Sequence, residues 1–234
     1  MIAVIDPRMP CSAKEKLKSI CEVVELPPFS ALDPRVASHP DMLMFVTDST
    51  LFVSSDYYNE AKAEIDSIIN ATSLSLVLTK DSFGNKYPND IKFNCFILNK
   101  ALVGNAAHIS SKIKSNTEAS RKRIVNVKQG YAKCSTVVLE GAVITADKGI
   151  YEAAASIGAD ALLVSAEGVA LNGYDCGFIG GASGVFENQV FFCGNANAHK
   201  DFERISAFCA MKGYRIISLS DEPLYDVGTI LFFD

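Results

Sequence analysis

Short apolar runs come in pairs along this chain. Each pair is divided by a turn-sized polar gap and followed by a segment of helical spacing and then one more apolar run. The runs 42–47 and 51–54 flank Asp48, Ser49 and Thr50, a strand–turn–strand pattern. A helix is predicted from Ser55 or Asp56, both natural N-caps, with Tyr58, Ala61, Ile65 and Ile68 or Ile69 on one stripe. Asn70 can close it, and 74–79 alternates as a strand. The order then returns. Strands are predicted at 93–98 and 101–104, a shorter helix from His108 and a strand at 124–127. The next copy has strands 136–139 and 142–145, a helix 150–157 ended by Gly158, and strand 161–165. The fourth has strands 177–184 and 190–193, a helix 198–211 stopped by Gly213, and strand 214–219.

The two ends are ragged in complementary ways. Residues 226–233 read as a lone strand, while the N-terminus offers strand 2–5, a helix 12–20 and strand 23–26, a module without its first strand. Ser12 and Glu15 have the spacing of a capping box at that helix start. Joining the ends completes a fifth module and removes an exposed sheet edge. Aligned at Asp41, Asp90, Cys134, Cys176 and Asp226, the copies recur at steps of 49, 44, 42 and 50 residues, the signature of a repeat architecture. The prediction is one α/β domain over 1–234, a five-bladed α/β propeller of ββαβ modules closed by pairing of the N- and C-terminal segments. The five aligned positions would face a central channel. An open α/β sheet with the terminal strands at its edges is the alternative.

Composition narrows the partners. At 234 residues the chain buries roughly 70–75% of its unfolded surface and needs no staples. Its 22 basic and 27 acidic residues give a net charge of −5, which argues against nucleic acid or an anionic membrane as partner. Arg121, Lys122 and Arg123 form the one dense basic run and are read as a solvated loop. No apolar run approaches the roughly 20 residues of a membrane span, and the start is interrupted by Pro7 and Pro10 too early for a signal peptide. Seven cysteines, an odd number without a CxxC pair or ligand-like spacing to the three histidines, suit a reduced cytoplasmic protein with no metal and no cofactor. Nothing in the chain sets an oligomeric state.

The aligned positions carry the candidate chemistry. If 39–47 is extended, His39 and Asp41 share a face. A carboxylate pairs well with a guanidinium through two parallel charge-assisted hydrogen bonds, and a histidine titrates near working pH. Three carboxylates and two thiols around one channel make a poor core, since carboxylates are rarely buried unpaired, but a sensible site for a small cationic ligand beside a nucleophile. Cys134 is the stronger nucleophile candidate because Lys133 and Lys128 lie near it in sequence and would lower its pKa, whereas Asp175 beside Cys176 would raise that one. The other reading of both cysteines is an inert buried thiol. The segment from Gly177 to Gly184 lacks the spacing of a phosphate loop, so Gly180 and Gly181 are read as letting backbone approach a ligand or a neighbouring strand. Asp147, Asn105 and Asn195 sit where helix caps are expected, and 29–34 is a connection placed to cover the channel or simply to join elements.

The set His39-Pro40-Asp41-Met42, Tyr131 to Ser135, Gly177 to Gly184 and Asp226-Val227-Gly228 resembles an uncharacterised bacterial family within the pentein superfamily, the fold of guanidino-group-modifying enzymes. The resemblance covers nearly the whole chain. It implies a histidine that shuttles protons (His39) and a carboxylate that holds a guanidinium (Asp41). The aligned positions add Asp90 or Asp226 for the cation, Cys134 as the attacking thiol, and Cys176 with Gly180 and Gly181 as further substrate-binding residues. The chain departs from the deiminase pattern at two places: Ile179 and Ala182 stand where carboxylates are expected, and Gly228-Thr229-Ile230-Leu231 lacks the terminal cysteine. Two functions follow. One is a hydrolase or amidinotransferase acting on a small cationic guanidino compound. The other is a binding or sensor protein with a degenerate site, as some propellers of this type, such as ribosome anti-association factors, bind partners without catalysis.

Overall fold

The central strand of each module is buried on both faces, which explains why the chain shows apolar runs rather than strict alternation. The computed structural model describes residues 1–234 and contains five three-stranded sheets. In the first, Met44–Val46 pairs antiparallel with Thr50–Ser54, which pairs parallel with Ser75–Thr79 across the helices Ser55–Glu60 and Lys62–Asn70. The second joins Phe96–Leu98, Ala101–Gly104 and Arg123–Asn126 with helix Ser111–Ala119. The third joins Thr136–Leu139, Ala142–Thr145 and Asp160–Leu163 with helix Lys148–Ser156. The fourth joins Ser183–Phe186, Gln189–Phe192 and Arg215–Ser218 with helix Phe202–Met211.

The fifth sheet is the one the chain ends make together. Leu231–Phe233 pairs antiparallel with Ile2–Ile5 in the register Ile2 to Phe233, and Ile2–Ile5 pairs parallel with Glu22–Glu25 across helix Cys11–Lys18. A short two-stranded sheet, Val169–Ala170 with Leu224–Tyr225, ties two connections together.

Five apolar clusters hold the modules to one another. Phe45, Phe52, Phe93 and Leu102 join the first module to the second, and Phe96, Val103, Val143 and Ile150 the second to the third. Val137, Ile144, Val190 and Phe192 join the third to the fourth, and Phe191 and Leu219 meet Ala3, Ile5 and Leu17 of the split module. Ile2, Val4 and Leu26 then meet Leu51, Tyr57 and Ile65 of the first. Each sequence-adjacent pair therefore shares a core, the last with the first included. Fully burying one such large side chain contributes about 1.5–3 kcal/mol.

Local chemistry fixes the element ends, with some departures from the sequence expectation. Ser54, one residue earlier than expected, caps the first module's helix by accepting from Tyr57 N. Asp147 caps the third module's helix through Ile150 N, and Asn195 accepts from Asn197 N in a 3-10 turn. Asp147→Ala should cost about 1 kcal/mol in urea unfolding; a loss indistinguishable from zero would mean the cap is solvated. The expected capping box does not form: the helix begins at Cys11 behind Pro10, and Ser12 donates to Glu222 instead. Residues 29–34 are pinned rather than loose, with Phe29 buried against Tyr57 and Phe83.

Candidate active site

Residues just ahead of each module's first strand meet at one place. Asp41, Asn94, Cys134, Gly180 and Thr229 stand two or three residues before Met44, Phe96, Thr136, Ser183 and Leu231 respectively. They are joined in a closed circuit of hydrogen bonds. Asp41 N donates to Gly228 O (3.0 Å), Thr229 N to Gly181 O (2.8 Å), and Gly181 N to Cys134 O (2.7 Å). Cys134 N donates to Asn94 Oδ1 (3.2 Å), and Asn94 Nδ2 donates to Asp41 O (3.4 Å).

Inside this circuit the Cys134 thiol donates to Asp41 Oδ2 at 2.9 Å, and Thr229 Oγ1 donates to the same oxygen at 3.1 Å. Lys133 Nζ donates to Thr229 Oγ1 at 3.0 Å, and Asn94 Nδ2 reaches the thiol sulfur at 3.2 Å. Ligand atoms of His39, Asp41 and Cys134 all lie within 4.8 Å of one another, and all three residues are buried. These are donor types that zinc accepts, and here the thiol and carboxylate are engaged with each other.

His39 and Asp41 come together by a route the sequence reading did not foresee. Residues 40–43 form a helical turn, not a strand, with Pro40 at its first position, where a missing N–H costs nothing. His39 is extended ahead of it, and Asp41 lies in its first turn. His39 Nε2 stands 3.7 Å from Asp6 Oδ2, and Asp6 is itself clamped by Arg8. Asp226 is fully buried, its two oxygens accepting from Phe178 N (2.8 Å) and Gly228 N (2.9 Å). Both Gly180 and Gly181 are required by close approach, the first to the backbone of Lys133 and Thr136, the second to the Asp226 carboxylate.

Three aligned positions fall outside the circuit: Asp226 stands five residues ahead of Leu231, with Thr229 in its place, and the other two lie further off. Asp90 stands six residues ahead of its first strand and is held by the Tyr131 hydroxyl at 2.7 Å. Cys176 stands seven ahead, is exposed, and lines a separate cavity with Ser135 and Asp147. Connections of unequal length shifted the alignment, and the residues that take these places, Asn94 and Gly180, carry no charge or thiol to draw notice. The offset that places them was hidden, because the expected strands 93–98 and 177–184 take in Asn94 and Gly180, whereas the strands that form are only Phe96–Leu98 and Ser183–Phe186.

Burial sets the charge states. It pushes the Cys134 thiol well above its ordinary value, and the nearby Asp41 and Asp226 charges push the same way. The expected activation by Lys133 and Lys128 is not what the surroundings deliver: Lys128 is exposed, and carboxylates outweigh the lysine at the sulfur. Burial also raises Asp41 and Asp226 and lowers His39 and Lys133. A raised carboxyl keeps its proton in the folded chain at pH values where the unfolded chain has lost it. Its contribution to stability is thus complete below the ordinary carboxylate range and is lost as pH rises through the folded value. Urea unfolding from pH 4 to 8 should show the stability of Asp41→Asn improving relative to the parent as pH rises. A pH-independent difference would mean that Asp41 titrates normally.

A cavity of about 310 Å³ opens beside the cluster, lined by His39, Asp226, Asp6, Arg8 and Arg35 among others. Arg35 is held there by Asp33 (2.7 Å) and lies 4.3 Å over the Tyr174 ring.

The sequence matches the profile described as Family of unknown function (DUF6873) over residues 4–231. No curated protein sequence matches it significantly. Solved structures of the pentein superfamily share its fold. Dimethylarginine dimethylaminohydrolase from Pseudomonas aeruginosa, a cysteine-to-serine mutant complexed with citrulline, superposes with a TM-score of 0.55 at 11% identity, covering 94% of this chain and 91% of that one. The amidinotransferase SxtG of saxitoxin biosynthesis from Microseira wollei gives 0.53 at 11% identity, covering 94% and 88%. The agmatine deiminase of C. jejuni gives 0.51 at 11%, covering 94% and 75%. No helix of the chain is long and apolar enough to cross a membrane.

Proposed function

The chain belongs to the Family of unknown function (DUF6873), and from that premise we propose that it is a five-bladed α/β propeller acting on a small cationic amidino or guanidino compound at Cys134, Asp41 and His39. The circular reading is supported by the hydrogen-bond circuit through all five modules and by the five cores shared between neighbours. The observation that carries the chemistry is the thiol of Cys134 bonded to a buried carboxylate with a histidine beside both.

At rest the thiol is protonated, because burial and the Asp41 and Asp226 charges disfavour a thiolate. A cation entering from the His39 cavity offsets that negative field and makes the thiolate accessible when it is needed. The sulfur then attacks the amidinium carbon, its proton passing to His39, which burial keeps neutral and able to accept it. The carbon–nitrogen bond to the leaving amine breaks as His39 returns that proton. Water or an amine then takes the amidino group from sulfur, giving hydrolysis or transfer. Asp226 lines the entry cavity and Asp90 stands outside the cluster, so Asp226 is the second carboxylate we assign to the cation. All seven cysteines are free, which suits a reducing, cytoplasmic setting.

A second reading is favoured by Lys133. Its ammonium already sits beside the Thr229–Asp41 bond, a tethered cation in the region a ligand would use, as befits a binding or sensor protein. Thiol mapping separates the two. The seven cysteines are labelled between pH 5 and 9 with a cationic haloamidine and with neutral iodoacetamide, and each site is located by mass spectrometry. Catalysis predicts that the amidine modifies buried Cys134 ahead of exposed Cys11 and Cys176. If only those two exposed thiols react, with ordinary pH dependence and no amidine preference, the covalent mechanism fails and the binding reading stands.

A further inference from the structure

A second cavity, of about 200 Å³, touches the same cluster and shares no lining residue with the first. Nine of its eleven lining residues are hydrophobic, among them Met44, Phe45, Phe96, Val138 and Leu231 from the modules' first strands. The two exceptions are Asp41 and Lys133. Both have unused polar capacity. Asp41 Oδ1 is buried with no partner, its other oxygen holding Cys134 and Thr229. Lys133 Nζ makes one hydrogen bond, to Thr229, although an ammonium carries three donors.

An amine and a carboxyl with spare bonding capacity in an otherwise apolar lining select their guest. A cationic guest would meet Lys133, and an anionic one Asp41. A neutral guest with an apolar body and an electrophilic carbon suits both. We propose that this cavity binds a small apolar aldehyde or ketone and that Lys133 captures it as a Schiff base. This goes beyond the amidino chemistry of Cys134 and does not depend on it.

The step balances within the residues present. Moving one proton from the Lys133 ammonium to Asp41 through the Thr229 hydroxyl, which accepts from the first and donates to the second, gives an amine and a carboxylic acid. Burial favours that direction at both groups. The amine lone pair attacks the carbonyl carbon as the C=O π bond breaks, and a proton passes from nitrogen to oxygen to give a carbinolamine. Asp41 protonates the hydroxyl, which leaves as water while nitrogen forms the C=N bond. The product is a protonated imine with the Asp41 carboxylate as its counter-ion. A desolvated lysine beside an apolar wall is an activated amine nucleophile.

The test uses the full chain, benzaldehyde at low concentration and sodium cyanoborohydride at neutral pH, with labelled lysines mapped by mass spectrometry. Cyanoborohydride reduces imines and leaves thiol adducts unreduced, so Cys134 chemistry does not register. Lys133 should be benzylated about tenfold or more faster than any other lysine, because the cavity holds the aldehyde beside it and desolvation favours its free amine. Val138→Phe, which fills the cavity without touching the amine, should abolish that advantage. Toluene should do the same to the parent protein by competition, a measurement that stands even if the variant folds poorly. Labelling of Lys133 at the rate of surface lysines, or a fast rate indifferent to toluene, would overturn the proposal. Neither outcome bears on the haloamidine experiment, so the two readings fail separately.

Discussion

Gly180→Ala is expected to unfold the protein or to destabilise it by more than about 3 kcal/mol, a large share of the roughly 5–15 kcal/mol that holds a domain together. A Cβ at this position would lie closer to Thr136 N, Thr136 O and Lys133 O than real Cβ atoms approach. All three obstacles are backbone, so no side-chain rotation relieves them. Nor can Gly180 shift, because its carbonyl accepts from Thr229 Oγ1 at 3.0 Å and from Ser183 Oγ at 3.1 Å. The neighbouring Gly181 is bound into the circuit through Cys134 O. The control is Gly213→Ala. That glycine has a φ of +81° but nothing within 4 Å of an added Cβ, so only the backbone cost of about 1–2 kcal/mol applies. Urea unfolding of the two variants side by side is decisive: equal losses would mean that close packing at Gly180 is not what fixes this turn.

That contrast bears on what the sequence could reveal. The glycine pair was legible as a place of close approach, and the structure shows protein on the other side of it. Paired apolar runs announced five modules, and the ragged ends announced that Ile2–Ile5 and Leu231–Phe233 would pair, because an unpaired strand at each terminus leaves two edges of matching need. Equivalence of individual residues was harder. Alignment by residue type favoured Asp90 and Cys176, since carboxylates and thiols advertise chemistry. The fold counts from the first strand of each module instead, and on that count Asn94 and Gly180 occupy the cluster. The helical turn at Pro40–Leu43 was hidden by its apolar Met42 and Leu43, which extend the strand pattern of Met44–Val46 backwards without a break. Nearness in sequence also misled the electrostatics. Lys133 adjoins Cys134 and its ammonium reaches the same cluster through Thr229, yet burial and the Asp41 carboxylate, far away in the chain and bonded directly to the thiol, decide the state of the sulfur.

Asp41→Asn should move two labelling rates of Cys134 in opposite directions. In the parent protein Asp41 disfavours the thiolate both through its charge and by accepting the S–H bond. Replacing the carboxylate with an amide of nearly the same shape removes that charge, so neutral iodoacetamide should alkylate Cys134 faster at a fixed pH near neutrality. The cationic haloamidine gains from the same easier ionisation but loses the carboxylate that would hold it. Truncating one partner of a buried charge pair costs about 2–5 kcal/mol, so the amidine's advantage over iodoacetamide should fall by about thirtyfold or more. Asp226 remains beside His39 and should leave a residual preference, which Asp226→Asn would remove only by also freeing the N–H groups of Phe178 and Gly228. The single Asp41 variant is therefore the cleaner probe. A merely structural Asp41 would give a different pattern: a loosened site exposes the sulfur to both reagents alike, and the two rates rise together with their ratio unchanged. Divergence of the rates identifies Asp41 as the group that both restrains the thiol and receives the cation.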